Sequence, residues 1–281
     1  MHARGVTAPA RYFPVEPAPL RMQAGLIRFG TELGNGARDR LFFQVDDERP
    51  RYLAAKRATS PSRHVIAGGD DLANRARQSA ITWMRETLAR EAPDALRDAD
   101  ADHDARDPIE AIARAVQEDV AVLEHGGGEG RAVALDVRFP SGWRPELLAG
   151  ASFTRIHAPV PGFAKDDRVS RSMVSSMIGR GPYVRFVWTL SADDALDHHP
   201  DSGLRRDWEH AVRAWLRVER QITVPLDGAS VFLIRTYLYD VATLDDAQRE
   251  VVREALRVMP DELREYKKLP TRDTFDRVIG R

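Results

Sequence analysis

The chain has 281 residues, 43% of them apolar, enough for a substantial core but for little beyond one large domain or two small ones. Its 42 Lys and Arg against 43 Asp and Glu leave a formal charge of −1, so no basic field draws it onto nucleic acid or an anionic membrane. The lack of any cysteine excludes disulfides, zinc–thiolate sites, iron–sulfur ligation, thiol nucleophiles and covalent c-type haem attachment within this chain.

Residues 1–20 hold Pro9, Pro14, Pro17 and Pro19, too many for a helix, and are expected to form an extended arm ahead of a single domain over 21–281. No signal-like apolar run stands there, and no later stretch reaches the ~18 apolar residues of a membrane span, so the expected location is the cytoplasm. Residues 41–46 (LFFQVD) are aromatic and β-branched enough for a strand. Residues 70–92 place Leu72, Ala76, Ala80, Ile81, Met84 and Leu88 on one helical face. The Asp-rich stretch 93–107 reads as an exposed, mobile loop inserted into the domain. Asp107-Pro108-Ile109-Glu110 then marks a helix start, with an N-cap acid, proline at the first helical position and an acid at the third.

Strands follow over 116–124 and 132–139, joined by the HGGGEG turn at 125–130 as a hairpin. Further strands are expected over 183–190, 215–224 and 230–239, the last two joined around Asp227-Gly228. Helices are expected over 166–178 and 243–259, the second opened by a Thr243…Asp246 cap. Strands linked mainly by hairpins, with helices before and after, predict an antiparallel α+β fold rather than a doubly wound parallel sheet.

Several groups could carry chemistry. HGGGEG lacks the Lys-Ser/Thr of a phosphate loop and any accompanying GxSxG, so a hairpin turn is the simpler reading. Asp193, Asp194, Asp197, His198, His199 and Asp201 could ligate a divalent metal, although a solvated loop explains them as well. His157 ends a short apolar run and is followed by Pro159 and Pro161, a stiff backbone suited to an axial ligand or catalytic imidazole, or simply a turn. Along 215–224, Arg217, Glu219 and Gln221 share a face that meets either solvent, the favoured reading, or a cavity. Arg235 and Tyr237 on the next strand are expected to extend that polar row.

QED within VQEDVAVL (116–123), FPSGW (139–143), IHAPVPGF (156–163), YVRFVWTL (183–190), LRVERQ (216–221), FLIRTY (232–237) and YKKL (266–269), with FFQVDD at 42–47, stand in a telling order. Together, from about Tyr12 to the C-terminus, they resemble the haem-dependent oxidative N-demethylase α-subunit family. The resemblance implies a PAS-like fold, a five-stranded antiparallel sheet flanked by helices, holding noncovalent haem b. It also implies dioxygen activation and oxidation of an N-methyl group of a small secondary amine such as dimethylamine, with release of formaldehyde. NADPH, FMN and an iron–sulfur cluster would then belong to reductase subunits, because this chain has neither cysteine nor a dinucleotide fingerprint. By the same resemblance His157 is the axial iron ligand, Arg217 and Arg235 meet haem propionates, Glu219 binds the amine or relays protons, and Tyr237 donates to bound oxygen. The rival expectation is a non-enzymatic PAS-type module that senses haem or another small molecule.

Overall fold

The computed structural model describes residues 12–17, 25–33, 39–126, 130–161, 175–176 and 179–279. Through them runs one antiparallel sheet of β1 (Ile27–Arg28), β2 (His64–Ile66), β3 (Asp119–Glu124), β4 (Arg131–Asp136), β5 (Tyr183–Ser191), β6 (Trp215–Leu226) and β7 (Ala229–Asp240). Its order is β1-β5-β6-β7-β3-β4-β2. The α+β class and the antiparallel hairpins agree with the sequence, but the sheet has seven strands rather than five, because the short β1 and β2 pair onto the edges of the five longer ones. The hairpin of β3 and β4 forms as expected, although Gly127–Glu129 of its turn lie outside the described residues. So do most of the helix expected over 166–178 and most of the N-terminal arm, of which Tyr12 and Val15 are buried in the core.

The helices are α1 (Arg49–Ala58), α2 (Asp71–Glu91), α3 (Pro93–Asp100), α4 (Pro108–Ala115), α5 (Phe153–His157), α6 (Asp246–Val258), α7 (Asp261–Lys267) and α8 (Arg272–Ile279). Asp70 caps α2 by accepting the Ala73 N–H at 2.9 Å, and the helix buries Ala73, Ala76, Ala80, Met84 and Leu88 at the i, i+3, i+4 spacing of one face. That stripe packs on Val120, Val122, Val133, Val231 and Leu233 of the sheet. Asp107 caps α4 as expected, accepting from the Ile109 and Glu110 N–H groups ahead of Pro108. At α6 the cap is Asp245, in a reciprocal box with Gln248, and Thr243 instead closes the preceding 3-10 turn. Helices α6–α8 bring Val252, Leu256 and Phe275 against Leu190, Leu216 and Val218, farther along the face that α2 covers.

Two more expectations are corrected. Residues 41–46 form no strand: the Phe42 and Phe43 N–H groups donate to the Glu91 carboxylate at 2.8 and 3.0 Å, and Gln44 N–H to Glu118 at 2.9 Å. Carboxylates therefore take the place of a neighbouring strand. Nor is 93–107 an exposed loop throughout, although 101–107 is loop and largely exposed. Its first half is α3, whose Ala95 and Ala99, one turn apart, are buried against α4 and α2. Between the helices and β3–β4 lies a buried ionic cluster. Lys56 donates to the Ala113 carbonyl at 2.8 Å, Arg138 bridges Asp136 and Glu110, and His64 bridges Asp136 and Asp107 at 3.1 and 2.6 Å.

Candidate functional site

The ladder register decides which side chains can meet. In an antiparallel pair, residues directly opposite share a face. Arg217 faces Leu238 and Glu219 faces Thr236, while Tyr237 lies opposite Val218 and Arg235 opposite Arg220. The polar row of β6 is therefore not extended by Arg235 and Tyr237, which point to the face covered by α2 and α6–α8. There Arg235 donates to the Gln44 carbonyl and to Asp46 (2.9 Å), its guanidinium 4.7 Å from the Tyr52 ring and 4.9 Å from that of Tyr237. The Tyr237 hydroxyl donates to the Gln44 side-chain oxygen. Both residues tie the 42–46 segment to the sheet.

The other face carries α5. Ser152 caps this short helix by accepting the Arg155 N–H, and Pro159 and Pro161 follow its end. Phe153 is buried among Ala121, Leu135 and Phe232, with Ile156 and Ile234 beside them. The His157 ring stacks on Phe153 with centroids 4.0 Å apart. Its Nδ1 lies 2.9 Å from the Phe153 carbonyl oxygen, so Nδ1 bears the proton and donates, and Nε2 is the basic nitrogen. Burial, with a contribution from Arg185, pushes the imidazole pKa down to about 4, which keeps it neutral at pH 7.

Arg185 stands on this same face, opposite Gln221. Among the described residues its guanidinium has no hydrogen-bond or ion-pair partner; burial lowers its pKa and Glu219 partly restores it. Glu219 is held at both oxygens, by the Ser141 hydroxyl at 2.6 Å and the Gln221 amide at 2.9 Å. Arg217, fully buried, donates from Nε to Ser141 at 3.1 Å and from its other nitrogens to the Phe139 carbonyl at 2.9 Å and the Ala195 carbonyl at 3.3 Å. At the end of α7, Lys267 donates to the Trp188 carbonyl at 2.7 Å. Burial pushes its pKa down to about 8, against the pull of the Glu219 carboxylate. Tyr266 beside it has a raised pKa through burial and the same carboxylate.

The expected solvent-facing row is thus a protein-facing one, with Arg217 buried and Glu219 and Gln221 half-buried. The acidic and histidine-rich segment is likewise no solvated loop, since Asp193, Asp197, His198 and His199 are buried. Glu146, His199 and Asp201 converge there, but His199 Nε2 meets Glu146 at 3.0 Å, Nδ1 accepts the Asp201 N–H, and Arg144 grips the Asp201 carboxylate with two nitrogens. Those ligand atoms already serve one another.

A family model described as haem-dependent oxidative N-demethylase, alpha subunit-like, matches residues 71–274. The chain belongs to this family. It is therefore related to haem-dependent oxidoreductases through their α subunit. Of the motifs that carried the resemblance, only FFQVDD lies outside the matched span. The residues present suit haem. A neutral imidazole oriented by a backbone carbonyl is a ring type that ligates metals, the bed around Phe153, Phe232 and Ile234 is apolar, and Arg185, without a hydrogen-bond or ion-pair partner among the described residues, supplies a cation on the same face for an anionic macrocycle. In this N-demethylase-family chain sequence reasoning missed Arg185, Tyr266 and Lys267, although each sits inside a quoted string. The available signal was strand parity: Arg185 stands at the phase of β5 that pairs with Gln221.

Among the described residues no helix is long and apolar enough to cross a membrane.

Proposed function

We propose that this chain is the haem-binding oxygenase subunit of an oxidative N-demethylase acting on a small secondary amine such as dimethylamine. The observation that carries the reading is the His157 geometry, an Nδ1–H donated to the Phe153 carbonyl on the face that also holds Arg185 and Glu219. In this reading His157 holds haem b through Nε2, and Arg185 takes the propionate role that the resemblance had given to Arg217 and Arg235. Bound haem would supply dioxygen activation. One dioxygen, two electrons and two protons convert the N-methyl group to formaldehyde and the demethylated amine, the second oxygen leaving as water.

The protein's own contributions follow from the polar cluster. Glu219, fixed at both oxygens, accepts an N–H from the cationic amine and orients its methyl group. Arg217 is a positioning residue, acting on Glu219 through Ser141. Lys267, with a pKa near 8, holds a proton at Nζ that it can deliver at neutral pH, and Tyr266 adds a second donor. Arg235 and Tyr237 support the site from behind the sheet, so the Tyr237 role beside oxygen passes to Tyr266. The pairing of the first and last long strands, β3 and β7, at the sheet centre supports the PAS-like relationship. NADPH, FMN and an iron–sulfur cluster on partner subunits, in the cytoplasm, complete the proposal.

The test is an absorption spectrum of the haem-reconstituted protein, oxidised and then reduced with dithionite under carbon monoxide, beside the His157→Ala variant. A Soret band that shifts with carbon monoxide and is lost or altered in the variant is expected, together with formaldehyde released from dimethylamine when a reductant and dioxygen are supplied. Absence of specific haem binding overturns the proposal. Haem binding without amine turnover leaves the sensing module instead.

A further inference from the structure

A cavity of about 200 Å³ is lined in part by Gly142, His198, Arg205, Arg206, Trp208 and Lys268, with neither His157 nor Glu219 in its lining. Its walls are fixed. Gly142 N–H donates to the His198 carbonyl at 3.1 Å, and the Trp208 indole N–H to the Lys268 carbonyl at 3.0 Å. His198 Nε2 meets Asp193 at 2.9 Å, and that carboxylate also accepts the Ala195 and Arg206 N–H groups at 2.9 and 2.8 Å. Asp193 is thus occupied.

Arg205 is not matched in this way. Its one hydrogen bond runs from Nη2 to the Lys267 carbonyl at 3.1 Å, and among the described residues it has no ion-pair partner within 4.0 Å. Half-buried, and close to the cationic Arg217, it has a pKa lowered by desolvation despite the opposing pull of Asp193 and Asp207. Gly142 takes φ +87°, and a Cβ there would sit 3.2 Å from Arg205 Nη1, so the glycine leaves this side of the guanidinium open. Arg206 and Lys268 add two cations to the lining, against the single carboxylate of Asp207 that is not already engaged.

We propose that this cavity binds a small oxyanion, a carboxylate or a phosphate, through the Arg205 guanidinium. A planar fork with an open edge matches either group bidentately, and the Trp208 ring gives a short carbon skeleton an apolar wall. Because Arg205 also holds the Lys267 carbonyl, an occupied site tightens the end of α7, where Lys267 turns toward Glu219. The inference does not depend on the haem reading.

Acetate, succinate and inorganic phosphate are titrated into the full chain by calorimetry, with ionic strength held constant by sodium chloride and thermal unfolding recorded alongside. Saturable one-site binding with a raised melting temperature is expected from one of the two chemistries. Binding by acetate or succinate alone identifies a carboxylate, and by phosphate alone a phosphate. Arg205→Gln is expected to weaken binding at least tenfold, and Arg206→Gln, an exposed position on the lining, about threefold with an unchanged melting temperature. No saturable binding above the chloride background overturns the proposal, as does unchanged affinity in the variants. Should Arg205→Gln fail to fold, Arg206→Gln and Arg205→Lys, which keeps the charge and loses the fork, decide the matter by the same criterion.

Discussion

Three arginines of the central strands meet desolvation in three ways. Arg217 surrounds itself with Phe139 and Ala195 carbonyls and Ser141; Arg235 lies between two aromatic rings and reaches Gln44 and Asp46; Arg185 finds nothing among the described residues. Removing Arg217 strands acceptors that have lost water, so Arg217→Met is expected to cost roughly 3 kcal/mol in urea unfolding. Arg185→Met, which deletes a partly desolvated charge without a hydrogen-bond or ion-pair partner among the described residues, is expected to leave stability unchanged or raised while weakening haem uptake in a spectroscopic titration. Sequence alternation identified Arg217, Glu219 and Gln221 as sharing a face. It could not say whether that face meets water, because the covering groups come from Phe139, Ser141 and Ala195, remote in the chain.

His64 gives the clearest pH dependence. Burial opposes its charging, but bonds to Asp107 on α4 and Asp136 on β4, beside Arg106, Arg138 and Glu110, raise its pKa to about 9 from an unfolded value near 6.5. A raised histidine pKa stabilises fully below the unfolded value, and its contribution is lost as pH climbs through the folded one. About 3 kcal/mol should therefore fade between pH 6.5 and 9. Urea unfolding at pH 6 and pH 9.5 is expected to show the fall, and His64→Gln to flatten it.

At the scale of elements, local pattern was sufficient where one stripe decides the outcome, as in α2, and where a tight turn joins long alternating strands, as at Asp227-Gly228 between β6 and β7. Met84, fully buried at the middle of the α2 stripe, is the natural test: Met84→Ala is expected to cost about 2–4 kcal/mol in the same unfolding measurement. Pattern failed where long-range partners override propensity. The 42–44 backbone gives its N–H groups to Glu91 and Glu118, so a β-prone string runs as coil. In α3 the buried side chains are only alanines one turn apart, Ala95 and Ala99, too small to outweigh the aspartates around them in a reading by composition.

For the whole molecule, the sheet has two differently used faces: one packs on α2 and α6–α8, and the other bears His157, Arg185 and Glu219, the residues of the proposed site. That partition was half legible. The motifs named the family, and strand alternation put Arg217, Glu219 and Gln221 on one face, whereas the register that sends Arg235 and Tyr237 away could be seen only with the strands paired. Membership in an α-subunit family sets a further expectation. NADPH added to the haem-loaded chain alone should leave its Soret band unchanged, dithionite should reduce it, and a flavin and iron–sulfur reductase should restore the response to NADPH.

The pairing of β3 with β7 also governs how the chain can be made. Asp119 must wait for Ile234, so a nascent chain leaving the ribosome carries the hairpin of β3 and β4 with one flank unpaired until almost the entire sheet has been translated. Through that interval the edge of β3, with its row of Val120, Ala121, Val122 and Leu123, is open to edge-to-edge pairing with other chains until β7 arrives.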